Sequence, residues 1–159
     1  DWHFTTHQRI TSCCIVGDTI YYLGGASMGP NFPIQSVLRK GVINPENPLE
    51  INWTFRGLDS RFAGYRMGSF ERKGKLYWIG GSNVTYNYNA IAYNETGGVE
   101  PNHRILRFDG TVLIEDFNKN IPMDLRGIAN IDDSLKYVIG GITKGQRTSQ
   151  NLIKLEWKE

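Results

Sequence analysis

The sequence predicts an all-β protein, and three observations carry that prediction. The 159 residues include 18 glycines and 12% aromatic residues, a pairing that suits short strands joined by tight turns. Sustained apolar spacing at i, i+3, i+4 is scarce, while short apolar runs bounded by turn residues recur. One such run is written three times: Ile20–Gly25 reads IYYLGG, Leu76–Gly81 reads LYWIGG and Lys136–Gly141 reads KYVIGG. The glycine pairs end at positions 25, 81 and 141, spaced 56 and 60 residues apart, and a recurring period of this size marks repeated structural units.

Each unit reads in the same order. A strand rich in small residues comes first, over Thr11–Val16, Met67–Arg72 and Gly127–Ile131. A tight turn follows at Gly17-Asp18, Gly74-Lys75 or Asp133-Ser134. The strand that stops on the glycine pair is next. A polar loop of variable length leads to a third strand, at Ser36–Val42, His103–Phe108 and Asn151–Trp157. A fourth strand follows in two units, at Glu50–Phe55 and Val112–Phe117. Four short antiparallel strands per unit, the second closed by two glycines, describe the blade of a β-propeller.

The order of apolar run, double glycine, spacer, strand and late aromatic resembles the Kelch repeat family. In that family the second strand ends in Gly-Gly and the fourth carries a Trp. Trp53 fills the Trp place in the first unit and Phe117 fills it in the second. The resemblance covers nearly the whole chain and implies a Kelch-type propeller of three four-stranded blades. It is specific for fold rather than for activity, because Kelch propellers serve both as enzymes and as binding platforms.

The ends refine the count. Residues 9–57 and 58–118 form two blades, and residues 119–159 form a third that lacks its fourth strand. Residues 1–8 supply the missing strand type: Asp1-Trp2-His3-Phe4-Thr5 echoes Asn52-Trp53-Thr54-Phe55. An N-terminal strand that completes a last blade is how propellers close without a raw sheet edge. Closed propellers use about four to eight blades. The expectation is therefore half of a six-bladed ring that needs another half, either the N-terminal half of the same protein or a second copy. Both readings stay open from sequence.

Composition narrows the partners. Hydrophobic residues make up 40% and charged residues 21%, a globular balance. A net charge of +2 gives no field for nucleic acid, and no apolar run nears the roughly 18 residues of a membrane span. The chain opens directly in DWHFTTH, as a processed or truncated start would. A secreted or periplasmic location is the expectation, although the only cysteines, Cys13 and Cys14, are adjacent and so form no disulfide framework. They read as two small buried residues. Three sequons, at Asn52, Asn83 and Asn94, are a number that chance supplies in an Asn- and Thr-rich chain.

The meander places the loops. The loop entering a first strand and the loop leaving a second lie at one end of each blade, and loops held on a rigid scaffold are where function sits. Arg66 precedes Gly80 by 14 residues and Arg126 precedes Gly140 by 14, while Arg9 precedes Gly24 by 15. Each opens an innermost strand, so the three are candidate ligands for a carboxylate or phosphate. Pairing with an acid such as Asp59 or Asp124 is the structural alternative. The longest insertion, Ser82–Asn102, is rich in Tyr and Asn, residues that stack on sugar faces and offer both donors and acceptors. Asn83, Tyr86 and Tyr88 are its candidates, with Asn31, Phe32, Lys144 and Arg147 from the shorter loops on the same face.

The chemistry open to these residues is limited. The histidines, His3, His7 and His103, show no pair at ligand spacing, so no metal site is expected. The copper galactose oxidases are built on a Kelch-like propeller, but their Tyr/Cys/His ligand set has no counterpart here. The glycine pairs end strands and open no helix, which excludes a phosphate-binding loop of the P-loop or dinucleotide type. No cofactor is expected. His7, Asp59 and Asp124 are candidate proton-transfer residues beside an arginine-bound anionic sugar, with His103 at the end of the long loop. That arrangement would resemble the Kelch-propeller epimerases acting on N-acetylneuraminate. The sequence thus favours recognition of an anionic, sialic acid-like carbohydrate, with sugar isomerase activity as its enzymatic form. A non-catalytic protein-interaction platform is the alternative.

Overall fold

The computed structural model describes residues 12–111, 113–117, 120–125 and 128–157. The first sheet is a meander of β1 (Ser12–Val16), β2 (Thr19–Leu23), β3 (Val37–Asn44) and β4 (Asn47–Gly57), all antiparallel and in sequence order. The second repeats it with β5 (Gly68–Arg72), β6 (Lys75–Ile79), β7 (Arg104–Phe108) and β8 (Leu113–Phe117). The β5–β6 turn places Lys73 and Gly74 at φ 47° and 74°. Two consecutive left-handed residues give the turn that matches strand twist. The third sheet joins β9 (Ile128–Asn130), β10 (Leu135–Ile139) and β13 (Leu152–Glu156) in the order β13-β10-β9. Between β10 and β13 a separate hairpin pairs β11 (Ile142–Thr143) with β12 (Arg147–Thr148), where the sequence predicts only loop.

Strand identities follow the predicted order, and the bounds move by a few residues. The largest change is β4, which runs for 11 residues where six are predicted. Its side chains are mostly exposed, so no apolar alternation marked its start. Asp59, a candidate proton-transfer residue, has a structural task in the fold. It caps the 3-10 turn Ser60–Phe62, its Oδ1 accepting from the Arg61 N–H at 2.9 Å.

The sheets stand side by side, with β1 against β5 and β5 against β9. Side chains fill each junction. Between the first two sheets Cys14, Leu23, Leu38, Met67, Leu76, Trp78, Leu106 and Phe108 form one core. Trp78 is wholly buried there, and its indole N–H donates to Ser12 O at 2.9 Å. That bond ties the second sheet to the innermost strand of the first. Between the second and third sheets, Phe70, Tyr77, Ile79, Leu125 and Val138 form another core. Among the described residues the sheets do not close into a barrel, and the all-β architecture fits a β-propeller-like fold. Among the same residues no helix is long and apolar enough to cross a membrane.

The glycine pairs make the close approach between sheets sterically feasible. All six glycines have positive φ, between 63° and 89°, which glycine adopts without strain. A Cβ at Gly24 would lie 2.3 Å from Gly64 O, and one at Gly80 would lie 2.2 Å from Pro122 O. These are carbonyls of the segment entering the next sheet. The second glycine faces its own sheet's entry instead: a Cβ at Gly81 would lie 2.6 Å from Tyr65 O, and one at Gly141 2.7 Å from Met123 O. Its N–H also reaches forward, from Gly25 to Gly64 O at 2.7 Å and from Gly81 to Pro122 O at 3.3 Å.

The core carries an alkaline-labile group. Burial pushes the Cys14 thiol up to about 12, partly opposed by the hydrogen bond from Ser69. The unfolded thiol ionises near 8.5. The folded pKa is the higher one, so this contribution to stability is complete below about pH 8.5 and is lost as pH rises towards 12. Thermal melts should therefore hold a plateau to about pH 8.5 and then fall. In Cys14→Ala the fall over that window should be shallower, beneath a uniformly lower plateau.

Candidate functional site

The loops leaving β2 and β6 gather on one end of the sheets with the segments entering β5 and β9. Their residues form a small core of their own: Ala26, Tyr65, Tyr86, Ala90, Ala92, Val99 and Met123, with Phe32, Ile34, Val84 and Ile142 against it. The insertion Ser82–Asn102 is therefore folded. Isolated bridges join Tyr86 to Ala92 and Ile91 to Gly98, and Asn87 Oδ1 accepts from the N–H groups of Asn89 and Ile91. Tyr86 is the anchor of this core, whereas Tyr88 projects from it with 85% of its surface exposed.

Arg66 sits at the centre of this end. Its Nη1 donates to Asp124 Oδ2 at 3.3 Å, with side chains only 10% and 15% exposed. The guanidinium lies 4.7 Å from the Tyr86 ring centroid and 5.2 Å from that of Tyr65, within the range of cation–π attraction. The two rings meet edge to face at 5.2 Å. Among the described residues, Arg66 Nε and Tyr86 Oη are buried with no hydrogen-bond partner. Buried polar atoms nearly always have a partner; of the three orphans among the described residues, Arg66 Nε and Tyr86 Oη lie together at this end, and the third, Arg104 Nε, lies on β7.

Local backbone explains the meeting. Tyr65 bridges Ser82, and Met123 bridges Ile142. The residues that follow, Arg66 and Asp124, are both left-handed, at φ 53° and 56°. They are therefore structural counterparts in successive sheets. This corrects the spacing argument that matched Arg66 with Arg126. The strands align Ser69 with Ile128 through their partners Trp78 and Val138, so one extra residue enters the third sheet between bridge and strand. Cation and anion thus occupy equivalent positions and face each other across a sheet junction.

Electrostatics keep this centre charged on the arginine and neutral on the tyrosines. Burial alone would lower the Arg66 pKa, but Tyr65 and Asp124 outweigh it and the net shift is upward. Burial raises the Tyr86 phenol well above its usual value; the Asp124 charge adds to this and Arg66 opposes it. The Tyr65 phenol is raised by burial too, again opposed by Arg66. Tyr86 is accordingly a hydrogen-bond donor at any physiological pH. Because its folded pKa exceeds the unfolded value of about 10, its contribution is complete below pH 10 and declines above it.

The other candidates are dispersed. Asn31 is exposed at φ 61° and offers its carbonyl to Thr85 Oγ1 at 3.1 Å. Phe32 packs on Tyr93 with ring centroids 4.7 Å apart. Asn83 Oδ1 accepts from Asn102 Nδ2 at 3.2 Å, which holds the two ends of the insertion together. Lys144 and Arg147 are exposed on the β11–β12 hairpin. The neighbouring Gln146 Nε2 and Gly145 N–H donate to Glu100 of the long insertion. His103 Nδ1 lies 2.8 Å from Ile121 O. A carbonyl only accepts, so that nitrogen carries the proton and the ring links two sheets. His7, Arg9 and Arg126 lie outside the described residues, as does the N-terminal strand proposed for residues 1–8. Among the described residues no three His, Cys, Asp or Glu side chains gather as a metal site would require.

Sequence reasoning missed Arg104. It is buried on β7, donating from Nη1 to Arg61 O and Glu115 Oε1 and from Nη2 to Ala63 O. Burial lowers its pKa, and the nearby Glu115 opposes the shift. It clamps the segment that delivers Tyr65 and Arg66. Replacing it with Met should lower the melting temperature and weaken any binding at Arg66 together, since both depend on that segment; a variant with native melting but lost binding would contradict the clamp.

No family model matches the chain, and no curated protein does. Among solved structures it is similar to the one described as the structure of YjhT, with a TM-score of 0.74 at 12% sequence identity. The match covers 96% of this chain and 44% of YjhT, so the chain spans less than half the length of that protein. At that identity the likeness is one of fold.

Proposed function

We propose that this chain is part of a Kelch-type propeller, contributing three blades of a six-bladed ring, and that it recognises an anionic carbohydrate of the sialic acid kind beside Arg66. The observation that carries this reading is the Arg66–Asp124 pair with two unpartnered polar atoms next to it. A planar carboxylate matches the donor edge of a guanidinium. Arg66 Nη1 is engaged by Asp124 and the Tyr65 phenol also interacts with the guanidinium, so Nε is the donor for the ligand. The neutral Tyr86 phenol donates to a sugar hydroxyl, and the Tyr65 ring walls the other side. In the enzymatic form of the reading, Asp124 takes the proton of the anomeric hydroxyl as the bond from the anomeric carbon to the ring oxygen breaks and gives it to that ring oxygen, and the reverse steps close the ring as the other anomer, as a mutarotase requires. The three glycine pairs, all at positive φ, and the likeness to a longer propeller-like structure support the blade assignment.

Isothermal titration with N-acetylneuraminate tests the reading. Wild type should bind, and Arg66→Met should lose at least about tenfold in affinity; equal heats for the two proteins would remove the anion site. Tyr86→Phe gives a sharper result. Removing a buried hydroxyl that lacks a partner relieves a desolvation cost of about 1–3 kcal/mol, so the variant should melt at or above the wild-type temperature while binding more weakly. One observation favours the interaction-platform alternative: Tyr88, Met28 and Ile91 are exposed apolar residues on the loops of this end, at 85%, 53% and 40%. Under that alternative Tyr88→Ser abolishes partner binding and leaves the sugar titration unchanged.

A further inference from the structure

We propose that the insertion Ser82–Asn102 is a lid over Arg66, that the β11–β12 hairpin is the strap holding it shut, and that the lid opens to admit the ligand. Admission rests on the reading of Arg66 as the ligand site; the lid and strap stand without it. The motive is burial. Arg66 Nε and Tyr86 Oη are buried, and the Arg66 side chain is only 10% exposed. A ligand therefore reaches that edge only when something above it moves. The insertion is what lies above: its Tyr86 ring stands 4.7 Å from the guanidinium. Its two ends form the hinge, where Ser82 exchanges backbone hydrogen bonds with Tyr65 and Asn102 Nδ2 donates to Asn83 Oδ1.

The strap grips the far part of the lid at one point. Glu100 accepts from the Gly145 N–H at 3.1 Å and from Gln146 Nε2 at 2.9 Å, and Gln146 Nε2 also donates to Val99 O at 3.1 Å. The Gln146 amide sits against Gly98, where a Cβ would lie 2.3 Å from its oxygen. The base of the same hairpin pairs with Met123, next to Asp124, so the strap joins the lid to the segment that faces Arg66. The β2–β3 loop holds the lid from the other side, through Thr85 Oγ1 to Asn31 O at 3.1 Å and Tyr93 on Phe32. Glu100 and Gly145 are both exposed. Hydrogen bonds between groups that water can reach contribute little net free energy, so the strap belongs to the part of the fold that opens first.

Backbone strain is concentrated at the same end. Of the nine non-glycine residues with positive φ among the described residues, all but Lys73 lie on the loops and strand entries of this end. Such residues persist where their surroundings over-determine them, and they gather at ligand clamps and switches. Asn31, Phe32 and Gln146, at φ 61°, 47° and 57°, are the residues through which the two neighbouring loops hold the lid. Letting go of the lid frees them from the left-handed region, so strain favours opening while the contacts of Glu100, Thr85 and Tyr93 oppose it.

Labelling of the ligand-free protein with phenylglyoxal, which attacks accessible guanidinium groups, tests the lid by peptide mass mapping. Arg61, with a 68% exposed side chain, is the internal standard and should react far faster than Arg66 in the wild type. Two variants release the strap. Gly98 is not left-handed, so Gly98→Ala keeps the backbone and pushes out the Gln146 amide; Glu100→Ala removes the acceptor. Each should keep the circular dichroism spectrum and the Arg61 rate while speeding Arg66 labelling at least about fivefold. The amides of Gly145, Ala92 and Val99, bonded to Glu100, Gly97 O and Ala90 O, should lose hydrogen-exchange protection together, with the Trp78 amide unchanged. Unchanged Arg66 labelling in both variants, or amides that respond singly, would overturn the proposal. With N-acetylneuraminate as the probe, both variants should raise association and dissociation rates together at nearly constant affinity, because the free and bound closed forms lose the same contacts. A rise in dissociation rate alone would mean that the strap shapes the site and does not gate it. A wild type that binds no sugar removes the anionic-sugar reading, and labelling and exchange then decide the lid by themselves.

Discussion

Gly80→Ala is expected to destabilise the fold by about 2–5 kcal/mol, while the same change at Gly140 costs about 1–2 kcal/mol. Both positions are left-handed, at φ 63° and 74°, and an L-residue there costs about 1–2 kcal/mol. Only Gly80 adds a collision. Its new methyl would meet Pro122 O at 2.2 Å, with Ile121 and Leu125 side chains at 2.7 and 3.0 Å. A backbone carbonyl cannot rotate away as a side chain can, so the second and third sheets must separate. Overpacking of this kind costs about 1–3 kcal/mol. Gly140 has nothing closer than 3.9 Å, so its alanine pays for backbone conformation alone. Denaturant titration should give two midpoints that differ by the collision term. Equal losses at the two glycines would mean that φ alone explains the pairs, and that the approach of the next sheet is not what selects the first glycine.

The sequence made the architecture readable because the repeated strand carries its own stop. A run that is apolar on both faces, closed by two glycines, marks a strand buried between neighbours, and three copies gave the order of strands within each sheet. The candidate site was less readable, for reasons of register and burial. The spacing from Arg66 to Gly80 equals that from Arg126 to Gly140, yet one extra residue between bridge and strand makes Asp124 the true counterpart. Counting from the strand end cannot detect an insertion that lies beyond the strand start. The buried cations were hidden differently. Arg104 and Lys136 stand at or next to the first residue of β7 and β10, where a cation reads as a strand end reaching into solvent, but each shares its face with buried apolar residues and finds backbone carbonyls inside the fold. The insertion Ser82–Asn102 looks polar because its core is built from small residues, Ala90, Ala92 and Val99, around a single large one, Tyr86.

Arg66 and Asp124 should behave as one unit in stability and as two in function. Their side chains are 10% and 15% exposed, so removing either partner leaves a largely buried charge. Arg66→Leu should cost about 3–5 kcal/mol, the usual loss when a buried pair is broken on one side. Asp124→Leu should cost a comparable amount, although the Tyr65 and Tyr86 rings still hold the guanidinium. The double variant Arg66→Leu, Asp124→Leu carries no orphaned charge, so it should be more stable than the sum of the single losses by about 1–3 kcal/mol of coupling. Additive losses would show that each residue is held by its other neighbours and that the pair itself contributes little. Ligand binding follows a different rule. A carboxylate needs the guanidinium, so both proteins lacking Arg66 should fail to bind N-acetylneuraminate whatever their stability. Asp124→Asn preserves shape and a hydrogen-bond acceptor for Arg66, so it should fold and still bind. If Asp124 moves a proton during sugar interconversion, that variant binds but interconverts anomers or epimers no faster than buffer. If Asp124 only orients Arg66, it retains whatever turnover the wild type has. Binding by calorimetry and anomer exchange by NMR on the same sample separate proton transfer from positioning, because an amide can orient a guanidinium but cannot accept the proton.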